Sequence, residues 1–133
     1  MSATVIEVTD GDTIVAQLAD GAIEDIRYIG INTPESTPDQ PLECFGHEAS
    51  DANEALVGGR EVQLSFGPER RDDYGRLLAY VQVDRLSVNA ELVKRGYART
   101  LTIAPNDARA PEFRALEAAA GRAGAGLWAT CDT

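Results

Sequence analysis

The chain has 133 residues, 44% apolar and 26% charged, with only two cysteines. That globular composition excludes disordered, collagen-like and disulfide-packed miniature proteins. Twenty-two acidic residues against 12 basic ones give a formal net charge of −10, which excludes loose coating of nucleic acid but not a small cationic site.

Ile6 and Val8 alternate with polar neighbours and predict a first strand, closed by the turn Asp10-Gly11-Asp12. Thr13 to Leu18 predicts a second strand with Ile14, Ala16 and Leu18 on one face. Asp20-Gly21 is a strong hairpin signal, and a third strand is expected from about Glu24 to Ile31. These three read as an antiparallel meander. Asn32 to Leu42 carries prolines at 34, 38 and 41 and reads as a loop. A helix starts near Gly46, places Ala49, Ala52, Ala55 and Leu56 at helical spacing, and stops at Gly58-Gly59. Val62, Leu64 and Phe66 mark a fourth strand, and Leu77 to Val83 a fifth. Ser87 suits the N-cap of a short helix bearing Leu92 and Val93 and ended by Gly96. Pro111 suits the first turn of a last helix with Phe113, Leu116 and Ala120 inward. Trp128 and Tyr80 are expected in the core. The sum is one α+β domain, mainly β, over residues 1–133: a five-stranded OB-fold barrel with three helices packed outside.

Residues able to carry chemistry lie at the strand ends. Asp10 and Asp12 flank a tight turn, which by itself reads as a hairpin or as a hard-cation site. Arg27 lies in the third strand, and Asn32-Thr33-Pro34-Glu35 follows it, with proline stiffening the backbone before a candidate general base. Asp72-Asp73-Tyr74-Gly75-Arg76 joins another turn to a strand and delivers a second Arg. Two Arg, several carboxylates and an amide form the inventory of a metal-assisted phosphodiesterase. The basic residues are eleven Arg and one Lys (Lys94), and Arg offers phosphate a planar fork where Lys offers a point charge. His47, the single histidine, reads as a surface residue at a helix start.

Six blocks in order carry a resemblance: Val8-Thr-Asp-Gly-Asp-Thr-Ile14, Arg27-Tyr-Ile-Gly-Ile-Asn-Thr-Pro-Glu35, Phe45-Gly-His-Glu-Ala-Ser50, Asp73-Tyr-Gly-Arg-Leu-Leu-Ala-Tyr-Val81, Val88-Asn-Ala-Glu-Leu-Val93 and Gly126-Leu-Trp128. Together they resemble the staphylococcal nuclease (thermonuclease) homologues from about Val5 to Trp128. The resemblance implies a Ca²⁺-dependent nuclease, with Mg²⁺ or Mn²⁺ as substitutes. It would cut DNA and RNA, preferably single-stranded or unpaired, at the 5′ side of the phosphodiester to leave 3′-phosphate ends. It implies metal ligation by Asp12, by Asn32 where the family has an aspartate, and by the Thr33 carbonyl. Asp10 would stand behind the metal, Glu35 would act on the attacking water, Arg27 and Arg76 would bind the phosphate, and Tyr74 would touch substrate.

Four departures accompany these matches. Asn32 removes one negative charge from the metal site, and the type enzyme's lysine-rich loop is Ser36 to Glu43 here, without Lys. Asp73 replaces a lysine, and Leu101 and Ile103 align with two tyrosines that flank the bound base. The competing class is a catalytically weakened OB-fold module that binds nucleic acid or protein. Members of that kind lose the carboxylates and arginines, whereas Asp12, Glu35, Arg27 and Arg76 remain here. Cys44 and Cys131 read as free thiols or as a disulfide. The placement of cysteines in some secreted members favours the disulfide and, with it, a secreted or extracytoplasmic setting. No apolar leader opens the chain, which fits work at the place of synthesis or a removed leader. No uncharged run approaches the ~18 residues of a membrane span, and a monomer is expected.

Overall fold

The first half of the barrel follows from alternation. A computed structural model describes residues 1–131. Strands β1 (Ser2–Asp10), β2 (Thr13–Leu18) and β3 (Ile23–Tyr28) pair antiparallel in sequence order, with bulges in β1 after Val5 and after Val8. Bulges add local twist, which lets a short sheet curl. Strands β5 (Glu61–Ser65) and β6 (Leu77–Val83) extend the sheet from the other edge of β1. A parallel seam between β3 and β6 closes it, with Ile26 opposite Leu77, Arg27 opposite Leu78 and Tyr28 opposite Ala79. Inward residues of these five strands fill the barrel: Val5, Ile14, Ala16, Ile26, Tyr28, Val62, Leu64, Ala79 and Val81 are all buried.

The third strand is shorter than its pattern predicts. Gly30 adopts φ 83°, and a Cβ there would lie 2.8 Å from the Phe113 ring. Only glycine fits that corner, so the chain breaks and resumes as β4 (Ile31–Asn32). β4 pairs with β8 (Arg99–Thr100) as a separate ribbon, at whose end Asn32 is exposed and Thr33 is buried.

Helix α1 (Gly46–Val57) packs on β1, and α2 (Val88–Lys94) packs on β6 and on α3 (Ala110–Ala123). Ser87, in the two-residue strand β7 (Leu86–Ser87), caps α2 by accepting the Ala90 N–H, as the sequence predicts. Its neighbour Asn89 is fully buried, donating to the Ile29 carbonyl at 2.8 Å and accepting the Val81 N–H at 2.9 Å. That side chain fixes the corner from which β4 departs. A single-turn helix α4 (Leu127–Thr130) follows the three expected helices, and there Leu127 is buried while Trp128 is only half-buried. Tyr80 is likewise half-buried, outside the barrel interior. Cys44 and Cys131 form a disulfide across a separation of 87 residues.

Candidate active site

The β1–β2 turn is fixed from three sides. Asp10 Oδ1 accepts the Asp12 N–H at 3.0 Å, closing an Asx turn. Asp12, buried, takes the Thr13 hydroxyl on Oδ1 at 3.0 Å and the Thr33 N–H on Oδ2 at 2.9 Å. Gly11 lets the turn press against Thr33, since a Cβ at Gly11 would stand 2.6 Å from Thr33 Oγ1. From α1, fully buried Asn53 donates to the Asp10 carbonyl at 2.9 Å and accepts the Tyr28 hydroxyl at 2.7 Å. Burial, then the Asp12 carboxylate and more weakly Glu35, push the Asp10 carboxyl up to about 7.

Arg27 joins this turn to the neighbouring loop. Its position on the closing seam aims the side chain along the barrel rim. One guanidinium nitrogen donates to the Tyr28 and Ile31 carbonyls, each at 2.9 Å. The other lies 3.3 Å from Asp12 Oδ2 and 3.3 Å from Asn32 Oδ1. Asp12, Asn32 and Arg27 therefore meet. Arg27 also lines a cleft of about 330 Å³ that includes Tyr74, Arg76, Leu101 and Ile103.

Arg76 is presented by Asp72. The Asp72 carboxylate accepts the Tyr74 and Arg76 backbone N–H groups at 3.0 Å each and the Arg76 Nε–H at 2.7 Å. Burial opposes charge on Asp72, yet these Arg76 and Tyr74 donors outweigh it and hold the carboxyl below its usual range. With Nε engaged, the two terminal nitrogens of Arg76 are left for an anion in the cleft. Tyr74 is 85% exposed, its ring centre 5.4 Å from the Arg76 guanidinium carbon. Glu35 is the outlier: it does not line the cleft, and among the described residues its hydrogen bonds go to its own loop, through Thr37 and Glu43.

A hard dication selects oxygen donors. Asp10 and Asp12 carboxylates, the Asn32 amide oxygen and Thr33 all belong to this turn and its neighbour. Thr33 Oγ1 is buried with no hydrogen-bond partner among the described residues, an atom that a cation's ligand shell can satisfy. The donor chemistry fits Ca²⁺, with the Arg27 guanidinium lying between Asp12 and Asn32. Among the described residues no three His, Cys, Asp or Glu side chains form a metal cage by themselves. Such a site would therefore have to draw on amide and backbone oxygens.

Sequence reading missed Asn53, which it gave no role in α1. Ala49, Asn53 and Val57 form the buried i, i+4, i+8 stripe of that helix, while Ala55 is exposed. That stripe was the available signal. It also gave Asp72 no separate role, although Asp two residues before Tyr74 and four before Arg76 is a turn-forming spacing. Leu101 and Ile103 are 42% and 64% exposed in the cleft.

A family profile described as staphylococcal nuclease homologue matches residues 25–130. A thermonuclease of Staphylococcus hyicus is 40% identical over 103 residues, 77% of this chain and 60% of that protein. From Bacillus subtilis (strain 168), endonuclease YncB is 37% identical over 131 residues, 96% of this chain and 62% of its own length. The SPbeta prophage-derived endonuclease YokF of the same organism is 38% identical over 128 residues, 94% of this chain and 43% of its own length. The chain thus spans less than two thirds of each of these relatives.

Proposed function

The chain belongs to the staphylococcal nuclease homologues, and from that premise we propose that it is a Ca²⁺-dependent endonuclease of a single OB-fold domain. Its substrates are DNA and RNA, preferably single-stranded, cut at the 5′ side of the phosphodiester to leave 3′-phosphate ends. The observation that carries the reading is the convergence of Arg27 with Asp12 and Asn32 at one end of a cleft that also holds Arg76.

In this reading Arg27 and Arg76 grip the scissile phosphate from two sides and stabilise the charge that builds on its oxygens. Glu35 accepts a proton from a water whose oxygen attacks phosphorus. The bond to the 5′ oxygen breaks, and that oxygen leaves as a hydroxyl after gaining a proton. Asp12, Asn32 and the Thr33 carbonyl would hold the cation, with Asp10 behind them. Bound there, Ca²⁺ supplies charge neutralisation of the phosphate and a more acidic water. Tyr74, exposed in the cleft, would meet a neighbouring phosphate. Leu101 and Ile103 give a base apolar contact but no aromatic face, forgoing stacking of ~1–3 kcal/mol per base.

No helix among the described residues is long and apolar enough to cross a membrane. The disulfide suits an oxidising setting and supports a secreted or extracytoplasmic protein, which in this reading acts as a monomer.

Arg76→Ala is expected to lower kcat by about 10²–10³-fold, the scale of losing one donor to a developing oxyanion. Steady-state rates in a protein with unchanged circular dichroism check this, and a near-wild-type kcat would remove Arg76 from the mechanism. Asn32→Asp is expected to tighten Ca²⁺ several-fold, because affinity follows ligand charge, although the new carboxylate also faces Arg27 at the same 3.3 Å position. Titration calorimetry of both proteins decides it, and equal or weaker binding contradicts ligation at position 32. The reading as a whole is tested by digestion of single-stranded DNA in Ca²⁺, Mg²⁺, Mn²⁺ and EDTA. Metal-dependent cutting supports it. Retention of DNA without cutting in every metal would favour the binding-module alternative.

A further inference from the structure

Glu35 is held by its own loop in an unusually complete way. Its backbone N–H donates to the Glu43 carboxylate at 2.8 Å, and its carbonyl accepts the Glu43 N–H at 3.0 Å. One residue thus satisfies both main-chain groups of Glu35 across the proline-rich loop. The Glu35 side chain is fixed as well: Oε1 accepts the Thr37 hydroxyl at 2.6 Å and the Thr37 N–H at 3.3 Å. Oε2 has no hydrogen bond among the described residues, which leaves it as the oxygen able to take a proton. The far end of the loop is anchored twice. Cys44, next to Glu43, is bridged to Cys131, and Phe45 stacks on Tyr97 with ring centres 5.4 Å apart.

We propose that Glu43 is a positioning residue for Glu35, and that the Cys44–Cys131 bridge holds this clamp in register. The inference deepens the endonuclease reading and rests on Glu35 being its base. Glu43 is solvent-exposed, so an N–H freed at Glu35 can turn to water and the stability cost of losing the side chain is small. The kinetic cost is not small, because a catalytic group displaced by about 1 Å loses up to ~10²-fold in rate.

The test is kcat and KM on a single-stranded oligonucleotide in Ca²⁺ for wild type, Glu43→Ala, Glu43→Gln and Glu35→Gln, with thermal unfolding of each. Glu43→Ala is expected to lose about tenfold in kcat with KM unchanged within about twofold and little change in Tm. Glu43→Gln keeps an acceptor oxygen for the Glu35 N–H and is expected to regain most of the rate. Reductant should lower kcat of still-folded wild type, yet add little to the loss in Glu43→Ala, as expected when two changes act through one element. Wild-type kcat in Glu43→Ala beside an inactive Glu35→Gln overturns this inference alone. A loss shared equally by Glu43→Ala and Glu43→Gln also overturns it. Full activity in Glu35→Gln removes the base itself, and this inference with it. An unchanged kcat in reduced, folded protein removes the bridge from the account.

Discussion

Glu35→Gln is expected to lower kcat by about 10²–10⁴-fold, the range for losing a positioned general base, while the protein stays folded. The substitution preserves the shape of the side chain and an oxygen able to accept from Thr37, whose hydroxyl lies 2.6 Å from Oε1. It removes the basic oxygen. A structural role for Glu35 predicts the opposite pattern, since the backbone bonds to Glu43 do not involve its carboxylate and survive in the variant. Rates on single-stranded DNA, with circular dichroism and Tm alongside, separate the two. A folded Glu35→Gln that cuts at the wild-type rate leaves the site without its proton acceptor.

Opening the disulfide is expected to have the largest effect on stability. A bridge across 87 residues restricts the unfolded chain, and in the chain-entropy model that is worth about 4–5 kcal/mol, less any strain. For a chain of this length the loss corresponds to a fall in Tm of roughly 10–20 °C. Cys44→Ser with Cys131→Ser, or wild type in reductant, followed by calorimetry, measures it. Equal Tm in oxidised and reduced protein contradicts a closed bridge in solution. Because Cys44 ends the Glu35 loop, the same samples link stability to turnover.

Where local pattern alone decides structure, the fold was legible in the sequence. The apolar run Leu77 to Val83 reads as a strand and is the observed β6 to the residue. Ser87 caps a helix because its hydroxyl has a local N–H to accept. The third strand was read too long because its apolar run continues through Gly30, and only the Phe113 ring, distant in sequence, forbids anything but glycine there. Asn53 and Asn89 were passed over for a related reason. Polar residues in helices read as solvated until their partners, the Asp10 carbonyl and the Ile29 carbonyl, are brought in by the fold.

For the candidate site, residue identities could be read from the chain but relations could not. Arg27 acquires its role from a parallel seam between β3 and β6 that no local pattern announces. Glu43 looked like one more acid in a loop depleted of lysine, and its double bond to Glu35 spans a segment without periodicity. The pairing of Cys44 with Cys131 came through the family resemblance, because two cysteines at that separation are equally compatible with free thiols. Asp72 illustrates the middle case. Its turn spacing was visible, whereas its grip on Arg76 Nε depends on a rotamer that only the folded turn selects.

The most direct measurement is the digestion of 5′-labelled single-stranded DNA by the purified chain in Ca²⁺, with EDTA and Glu35→Gln as parallel reactions and the product ends typed. The account predicts fragments carrying 3′-phosphate and 5′-hydroxyl ends, formed in Ca²⁺ and absent from both parallel reactions. Fragments with 5′-phosphate ends, or cutting that persists in EDTA or in Glu35→Gln, would contradict it.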